Sequence, residues 1–207
     1  FIRIEGRPLG VLASNPMHIG GAIDSDAADK AARFMQLCDA FDIPLLSLCD
    51  TPGNMVGPEA EKAALVRHCC RVFVTGANLT VPLFSVVLRK AYGLGAQGMV
   101  GGSFRAPFFT VAWPTAEFGP MGLEGAVKLG YRNEIAAITD PAERKAFFER
   151  MVAQMYEQGK GLSAASLFEV DDVIDPADTR RWIMGGLRSL PAPAKRDGKK
   201  RAWVDTW

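Results

Sequence analysis

At 207 residues, 48% hydrophobic and 23% charged, the chain has the make-up of an ordinary globular protein with enough apolar content for one sizeable core. A formal net charge of +1 removes any global electrostatic case for nucleic acid or a membrane surface as partner. No uninterrupted apolar run is long enough to cross a bilayer, and the start "FIRIEGRPLG" has neither a signal-peptide layout nor an initiator Met; a cytoplasmic protein cut from something longer is expected.

The run Arg7 to Pro16, "RPLGVLASNP", predicts a strand that breaks into a loop at Pro16. Asp24 to Asp42 places apolar residues at helical spacing behind Ser25 or Asp26 as cap, so a helix follows. "IPLLSLCD" reads as a buried strand, "TPGNMVGP" as a turn-rich loop, and "EAEKAALVRHCCRVFVTGAN" as one helix closed by Gly76. "NLTVPLFSVV" is again a buried strand, and it leads into "LRKAYGLGAQGMVGG", a glycine-rich exit with a short helix or turn. "FFTVAWP" predicts another strand, and "PMGLEGAVKLGYR" a helix entered through Gly119 and Pro120.

From Ile135 the pattern is helical, with Asp140 and Pro141 opening one helix and Asp175 placed to cap the last. After Leu190 periodicity is lost and Pro and Lys accumulate, which divides the chain into a domain over 1–190 and a tail or linker over 191–207.

Alternating strands and helices, with strands that are apolar almost throughout, indicate an α/β fold with a parallel sheet. Ligands of such folds gather at the carboxyl ends of the strands, and the loops leaving those ends here are "HIGGAID", "DTPGNMVG" and "GLGAQGM". The four cysteines, Cys38, Cys49, Cys69 and Cys70, lack Cys-x-x-Cys spacing, and His18 and His68 are the only histidines. Reduced, buried thiols and no metal site are expected.

A glycine cluster at the exit of a buried strand needs a physical reason, because glycine is entropically costly to order. One reason is an oxyanion hole: Gly95 and Ala96 are small enough to let a ligand oxygen reach their amides at a helix start, with Gly93 permitting the turn before them. A phosphate cradle is a weaker alternative, since no P-loop Lys and Ser/Thr follow. Tight helix packing is a third reading, and spacing alone leaves all three open.

The segments "GVLASNPMHIGGAIDSDAADKAARFMQLCDAFDIPLLSLCDTPG", "VPLFSVVLRKAYGLGAQGM", "AWPTAEFGPMGLEGAV" and "DDVIDPADTRR" stand in one order. In that order they resemble the C-terminal half of the carboxyltransferase (β) component of biotin-dependent acyl-CoA carboxylases of the propionyl-CoA and methylcrotonyl-CoA type. The resemblance runs from about Gly6 to about Ile183. It implies a crotonase-like spiral of ββα units with a helical C-terminal region. The activity it implies is transfer of a carboxyl group from carboxybiotin, delivered by a carrier and not attached to this chain, to the α-carbon of an acyl-CoA. Biotin itself then removes the α-proton, so no side-chain base is needed.

By the same resemblance, the amides of Gly95 and Ala96 hold the biotin ureido oxygen. Gly20, Gly21, Ala22, Tyr92, Gly93, Leu94 and Gln97 line the biotin pocket, and Gly98, Pro120, Met121 and Gly122 line the substrate side. Bland readings stand beside these: a plain loop for Gly20 to Ala22, a turn or cap for Asp50 in "DTPG", packing for Tyr92, and the core for Met121. Neither Glu117 nor Glu124 is assigned a role.

Relatives often read "KAYGGA" where this chain has "KAYGLGA", so Leu94 reads as an insertion. Short-chain members often carry an acid two residues after the Gly-Ala pair, where Gly98 stands here, which points to a longer acyl group. The implied partners are acyl-CoA, the biotin carboxyl carrier and biotin carboxylase components, and further copies of the chain in a homo-oligomer. A decarboxylase of the same family and a crotonase-type hydratase or isomerase are the alternatives.

Overall fold

In the computed structural model, which describes residues 1–192 and 195–206, the chain opens with an antiparallel hairpin of β1 (Ile2–Ile4) and β2 (Arg7–Ala13). Helix α1 (Ser25–Ala40) follows, then β3 (Leu45–Thr51), α2 (Pro58–Lys62), α3 (Leu65–Ala77) and β4 (Leu83–Tyr92). Next come α4 (Gly93–Met99), β5 (Phe109–Ala112) and β6 (Glu117–Gly119). The remainder is mainly helical: α5 (Leu123–Gly130), α6 (Arg132–Ala137), α7 (Pro141–Gln158), α8 (Gly161–Ser166), the short β7 (Asp172–Val173) and α9 (Thr179–Ser189).

The strands lie in the order β1-β2-β3-β4-β5-β7, parallel from β2 onward, and β6 pairs with the far end of β4. Each crossover advances one place in the same direction. The helices of the first two crossovers share one apolar cluster, in which Ala28, Met35, Leu65 and Val72 meet Leu45 and Leu83. A chain that always steps the same way with its helices on one face winds as a spiral, which is the ββα spiral expected. Helix α9 closes the opposite face by packing Ile183, Met184 and Leu187 on Phe84, Val86 and Val111. None of the residues of α6 or α7 is buried, so they form an arm rooted through α5, which buries Leu123, Ala126 and Val127.

Local chemistry moves several boundaries. Asp24, not Ser25 or Asp26, caps α1: its extended backbone lets Oδ1 accept from the Ala27 amide at 2.9 Å. The single helix expected after Pro58 is broken by Ala64, which adopts the left-handed conformation (φ 56°). Gly76 does not end α3. It lies inside the helix, where a Cβ would come within 2.8 Å of the Gly101 Cα, so it serves a close backbone approach instead. Asp175 caps the 3-10 turn Pro176–Asp178 that leads into α9, by accepting from Ala177.

Cys38, Cys49 and Cys69 are buried, and burial pushes their thiols up to about 11, 12 and 11. Cys70 departs from the expectation: it is exposed, because neighbouring helix residues point about 100° apart and Cys69 takes the buried side. Among the described residues no helix is long and apolar enough to cross a membrane.

Beyond Leu190 the described residues have no regular structure, yet they lie along α1. Arg201 Nε meets Asp39 at 2.7 Å, Lys200 Nζ bridges Asp39 and Asp42, and Asp205 exchanges two hydrogen bonds with Gln36.

Candidate functional site at the carboxyl ends of β3 and β4

The "DTPG" segment at the end of β3 is where three loops meet. Register between β3 and β4 shifts around Asp50, and the Asp50 carboxylate spans the irregularity by accepting from Arg89 Nε and the Lys90 amide at 3.1–3.2 Å. Its role is thus to hold two strands together. Thr51 Oγ1 donates to the Gly21 carbonyl at 2.8 Å, and Gly21 (φ 86°) comes so close that a Cβ would lie 2.7 Å from the Asp50 carbonyl oxygen. The amide of Ile23 donates to Gly53, and that of Met55 to Ile23, so "HIGGAID" is stitched onto "DTPGNM".

The first turn of α4 closes on the same spot. A Cβ on Gly95 would lie 2.5 Å from the Gly53 carbonyl carbon and 2.8 Å from the Asn54 nitrogen. One on Gly93 (φ 58°) would lie 2.8 Å from the Pro120 carbonyl oxygen. Both neighbours are backbone, so neither can swing aside.

Helix α4 begins at Gly93 with Tyr92 as its N-cap residue. Helix geometry therefore leaves the amides of Gly93, Leu94 and Gly95 without an intrahelical acceptor, while that of Ala96 is the first to be taken up, by the Tyr92 carbonyl. Of the expected pair Gly95 and Ala96, the Gly95 amide lies outside the helix ladder and the Ala96 amide does not; the neighbouring amide outside the ladder is that of Leu94. Ala96 is fully buried in a cluster with Cys49, Val87 and Ala91 and serves the core. Leu94 lies within the first turn of α4.

Gly20, Gly21, Ala22, Pro120, Met121 and Gly122 lie in the loops and turns that converge here, beside the end of β4 at Tyr92 and the first turn of α4 at Gly93 and Leu94. Gly98 does not. A Cβ there would meet Phe73 Cε2 at 3.4 Å and Val72 Cγ1 at 3.5 Å, so this glycine faces α3 and lines helix packing rather than a substrate wall. Gln97 is half-buried in the same helix. Met121 is not a core residue; it is 41% exposed at the rim.

Two residues with no role in the sequence reading acquire partners. The Tyr92 hydroxyl, almost wholly buried, donates to Glu117 Oε2 at 2.8 Å, and Tyr156 donates to Glu124 Oε1 at 3.0 Å. Burial first, and the neighbouring carboxylate second, raise the pKa of each phenol above the ordinary tyrosine value. Nothing in the local sequence signals these pairs, since partners stand 25 and 32 residues apart.

A cavity of about 1160 Å³ opens at the opposite, amino end of the strands, lined by Pro44, Pro82, Phe108 and Leu190 among others. It contains none of the converging glycines. The close backbone approaches gather at the carboxyl ends instead, where ligands of parallel α/β sheets bind.

Residues 1–201 match the family described as carboxyl transferase domain. The chain belongs to that family. It is 37% identical over 202 residues to the carboxyltransferase subunit of propionyl-CoA carboxylase from Haloferax mediterranei, covering 97% of this chain and 38% of that protein. It is 39% identical over 203 residues to the methylmalonyl-CoA carboxyltransferase 12S subunit of Propionibacterium freudenreichii subsp. shermanii, covering 96% and 38%. The chain thus spans about two fifths of the length of these relatives.

Among solved structures, a transcarboxylase 12S hexamer core with methylmalonyl-CoA bound matches with a TM-score of 0.83 at 38% identity, covering 95% of this chain and 38% of that one. A single-chain, multi-domain long-chain acyl-CoA carboxylase matches with a TM-score of 0.79 at 60% identity, covering 89% of this chain and 18% of that one. The spiral α/β fold is the crotonase-like fold of these carboxyltransferases.

Proposed function

We propose that this chain is the biotin-binding part of an acyl-CoA carboxyltransferase, with the amides of Leu94 and Gly95 as donors to the biotin ureido oxygen. The observation that carries the reading is the approach of Gly95 to Gly53, where a side chain of any size is excluded beside a free amide. Such a cradle fits a flat ring whose oxygen gains negative charge, and does not fit a phosphate that needs a lysine as well.

Carboxybiotin, presented on a carrier, supplies the carboxyl group and the base that removes the α-proton. What this chain contributes is orientation and charge stabilisation. The two amides are preorganised by the close-packed turn, so they favour the oxyanion over the neutral carbonyl, an effect of about 3–4 kcal/mol per donor. Gly21 and the Gly53 loop wall one side of the cradle, and Pro120 the other. Glu117 and Glu124 each accept a phenol hydrogen bond, and no step of this reading calls on either as a base.

The acyl-CoA is held by the remaining part of the full-length protein, contributed by a second copy in a homo-oligomer. Exposed apolar side chains on the converging loops, Met17, Val56 and Leu94, give that part a surface to cover. A long acyl chain is the favoured substrate, because identity rises to 60% with the long-chain acyl-CoA carboxylase but stays near 37–39% with the propionyl- and methylmalonyl-CoA enzymes. A biotin carboxylase component, in the cytoplasm, completes the cycle.

The test is biotin-dependent decarboxylation of malonyl-CoA or methylmalonyl-CoA, with free biotin as acceptor, by the longest native form of the protein. Gly95→Pro, which removes one amide donor, is expected to abolish the biotin-dependent rate. No turnover of any acyl-CoA and no biotin binding by the native form would refute the proposal.

A further inference from the structure

Helix α4 spans only seven residues and has no side-chain cap at its start, so the position of its first turn must come from elsewhere. Three contacts supply it. Gly95 rests on Gly53 and Gly93 rests on Pro120, and both are contacts between backbones. The third is a side-chain lock: Tyr92, the last residue of β4, sends its buried hydroxyl to Glu117, the first residue of β6. A phenylalanine would fill the same space without a buried hydroxyl to satisfy, so the polar pair calls for a function other than packing.

The lock is tied in turn to the arm. Strand β6 pairs with β4 through Lys90 and Glu117 and through Tyr92 and Gly119. The end of α7 is fastened to β6, where the Phe118 amide donates to Gly159 at 2.7 Å and Gly159 leaves no room for a Cβ against the Phe118 carbonyl. One turn earlier, Tyr156 of α7 reaches Glu124 of α5. Through these two hydrogen bonds, the β4–β6 pairing and the Phe118–Gly159 bond, β4, β6, α5 and α7 are joined next to Gly93, which follows Tyr92 in the chain.

We infer that Tyr92 and Glu117 are positioning residues for the amide donors of Leu94 and Gly95, and that Tyr156 and Glu124 couple the α5–α7 arm to the same donors. The inference rests on the proposed function and adds to it a means by which whatever docks on the arm bears on biotin.

Five variants in the full-length protein test it: Tyr92→Phe, Glu117→Ala, Glu117→Gln, Tyr156→Phe and the double variant Tyr92→Phe/Glu117→Ala. Tyr92→Phe and Glu117→Ala are each expected to lower kcat/KM for free biotin by roughly 2- to 10-fold, the span of one net hydrogen bond, with KM for acyl-CoA unchanged. The double variant should be no worse than either single one, because both remove the same bond. Glu117→Gln keeps an acceptor oxygen and should recover most of the rate, and Tyr156→Phe should show a smaller loss of the same kind.

Wild-type efficiency towards biotin in Tyr92→Phe, or losses that add in the double variant, would overturn the positioning role. An unaffected Tyr156→Phe would overturn the coupling to the arm. Should Tyr92→Phe not fold, the contrast between Glu117→Gln and Glu117→Ala decides the matter. A native enzyme with no biotin-dependent turnover would refute the proposed function itself, a result that no pattern among the variants can mimic.

Discussion

Gly95 and Gly185 both lie in helices, and replacing either with alanine gains about 1 kcal/mol in helix propensity. Their surroundings differ. Nothing lies within 4 Å of a Cβ built on Gly185, whereas one on Gly95 falls 2.5 Å and 2.7 Å from the Gly53 carbonyl carbon and Cα. Carbon atoms rest about 3.5–4.0 Å apart, so Gly95→Ala must part the helix from the loop by roughly 1 Å. The loop resists, because the Gly53 carbonyl accepts from the Ile23 amide and the Gly53 amide donates to Thr51 Oγ1. Overpacking of this kind costs about 1–3 kcal/mol, and at this chain length each kcal/mol moves Tm by about 2–4 °C. Because the propensity gain is common to both, the difference between the variants isolates the overpacking. Gly95→Ala should melt several degrees below Gly185→Ala in calorimetry. A shift of about 1 Å at a catalytic donor also costs on the order of 100-fold in rate, so biotin-dependent turnover should fall in Gly95→Ala and not in Gly185→Ala. Equal melting temperatures would show that the close approach is absent and remove the basis of the cradle.

Three further predictions concern charge and specificity. Burial opposes the charge on Asp39, but hydrogen bonds from Thr80, Arg201 and Lys200 outweigh it and hold the pKa at about 2 against an ordinary 3.8. A depressed carboxylate stabilises fully above its unfolded value, so this contribution, on the order of 2 kcal/mol, is complete above about pH 4 and vanishes as the pH falls through about 2. Asp39→Asn should therefore lower Tm by several degrees at pH 7, with the gap to wild type closing below about pH 4; a gap constant with pH would refute the assignment. With the donors at Leu94 and Gly95, the place two residues on is Gln97, not Gly98. Gln97→Asp should shift the ratio of kcat/KM values towards propionyl-CoA over a long-chain acyl-CoA. Gly98→Asp should destabilise the fold by setting a carboxylate against Val72 and Phe73, and a shift in acyl preference from it would contradict this placement.

How much of this was legible in the chain depends on range. Strands β3 and β4 were legible because they are apolar almost end to end, and the capping of α7 because Asp140 and Pro141 stand together. The break at Ala64 was not, since alanine carries no signal for a left-handed backbone. The Tyr92–Glu117 lock and the pairing of Arg201 with Asp39 join residues 25 and 162 positions apart, and no local pattern records such a meeting. The glycine-rich exit stands out in the sequence, but which of its amides lie outside the helix ladder does not, because only the start of α4 at Gly93 decides that.

The start of α4 also bears on the rival readings of the glycines, as donors' neighbours or as packing. Gly21 meets the Asp50 carbonyl, Gly93 the Pro120 carbonyl and Gly95 the Gly53 backbone, so each is required by a close approach. Packing is the immediate reason for all three. Yet a helix start pressed against a loop with no side chain between them is also one whose amides cannot drift, and preorganisation is what makes a hydrogen-bond donor effective towards developing charge. The two readings describe one geometry. Substitutions that loosen the contact while leaving the amide in place, such as Gly95→Ala, should impair catalysis for the same reason that they impair stability.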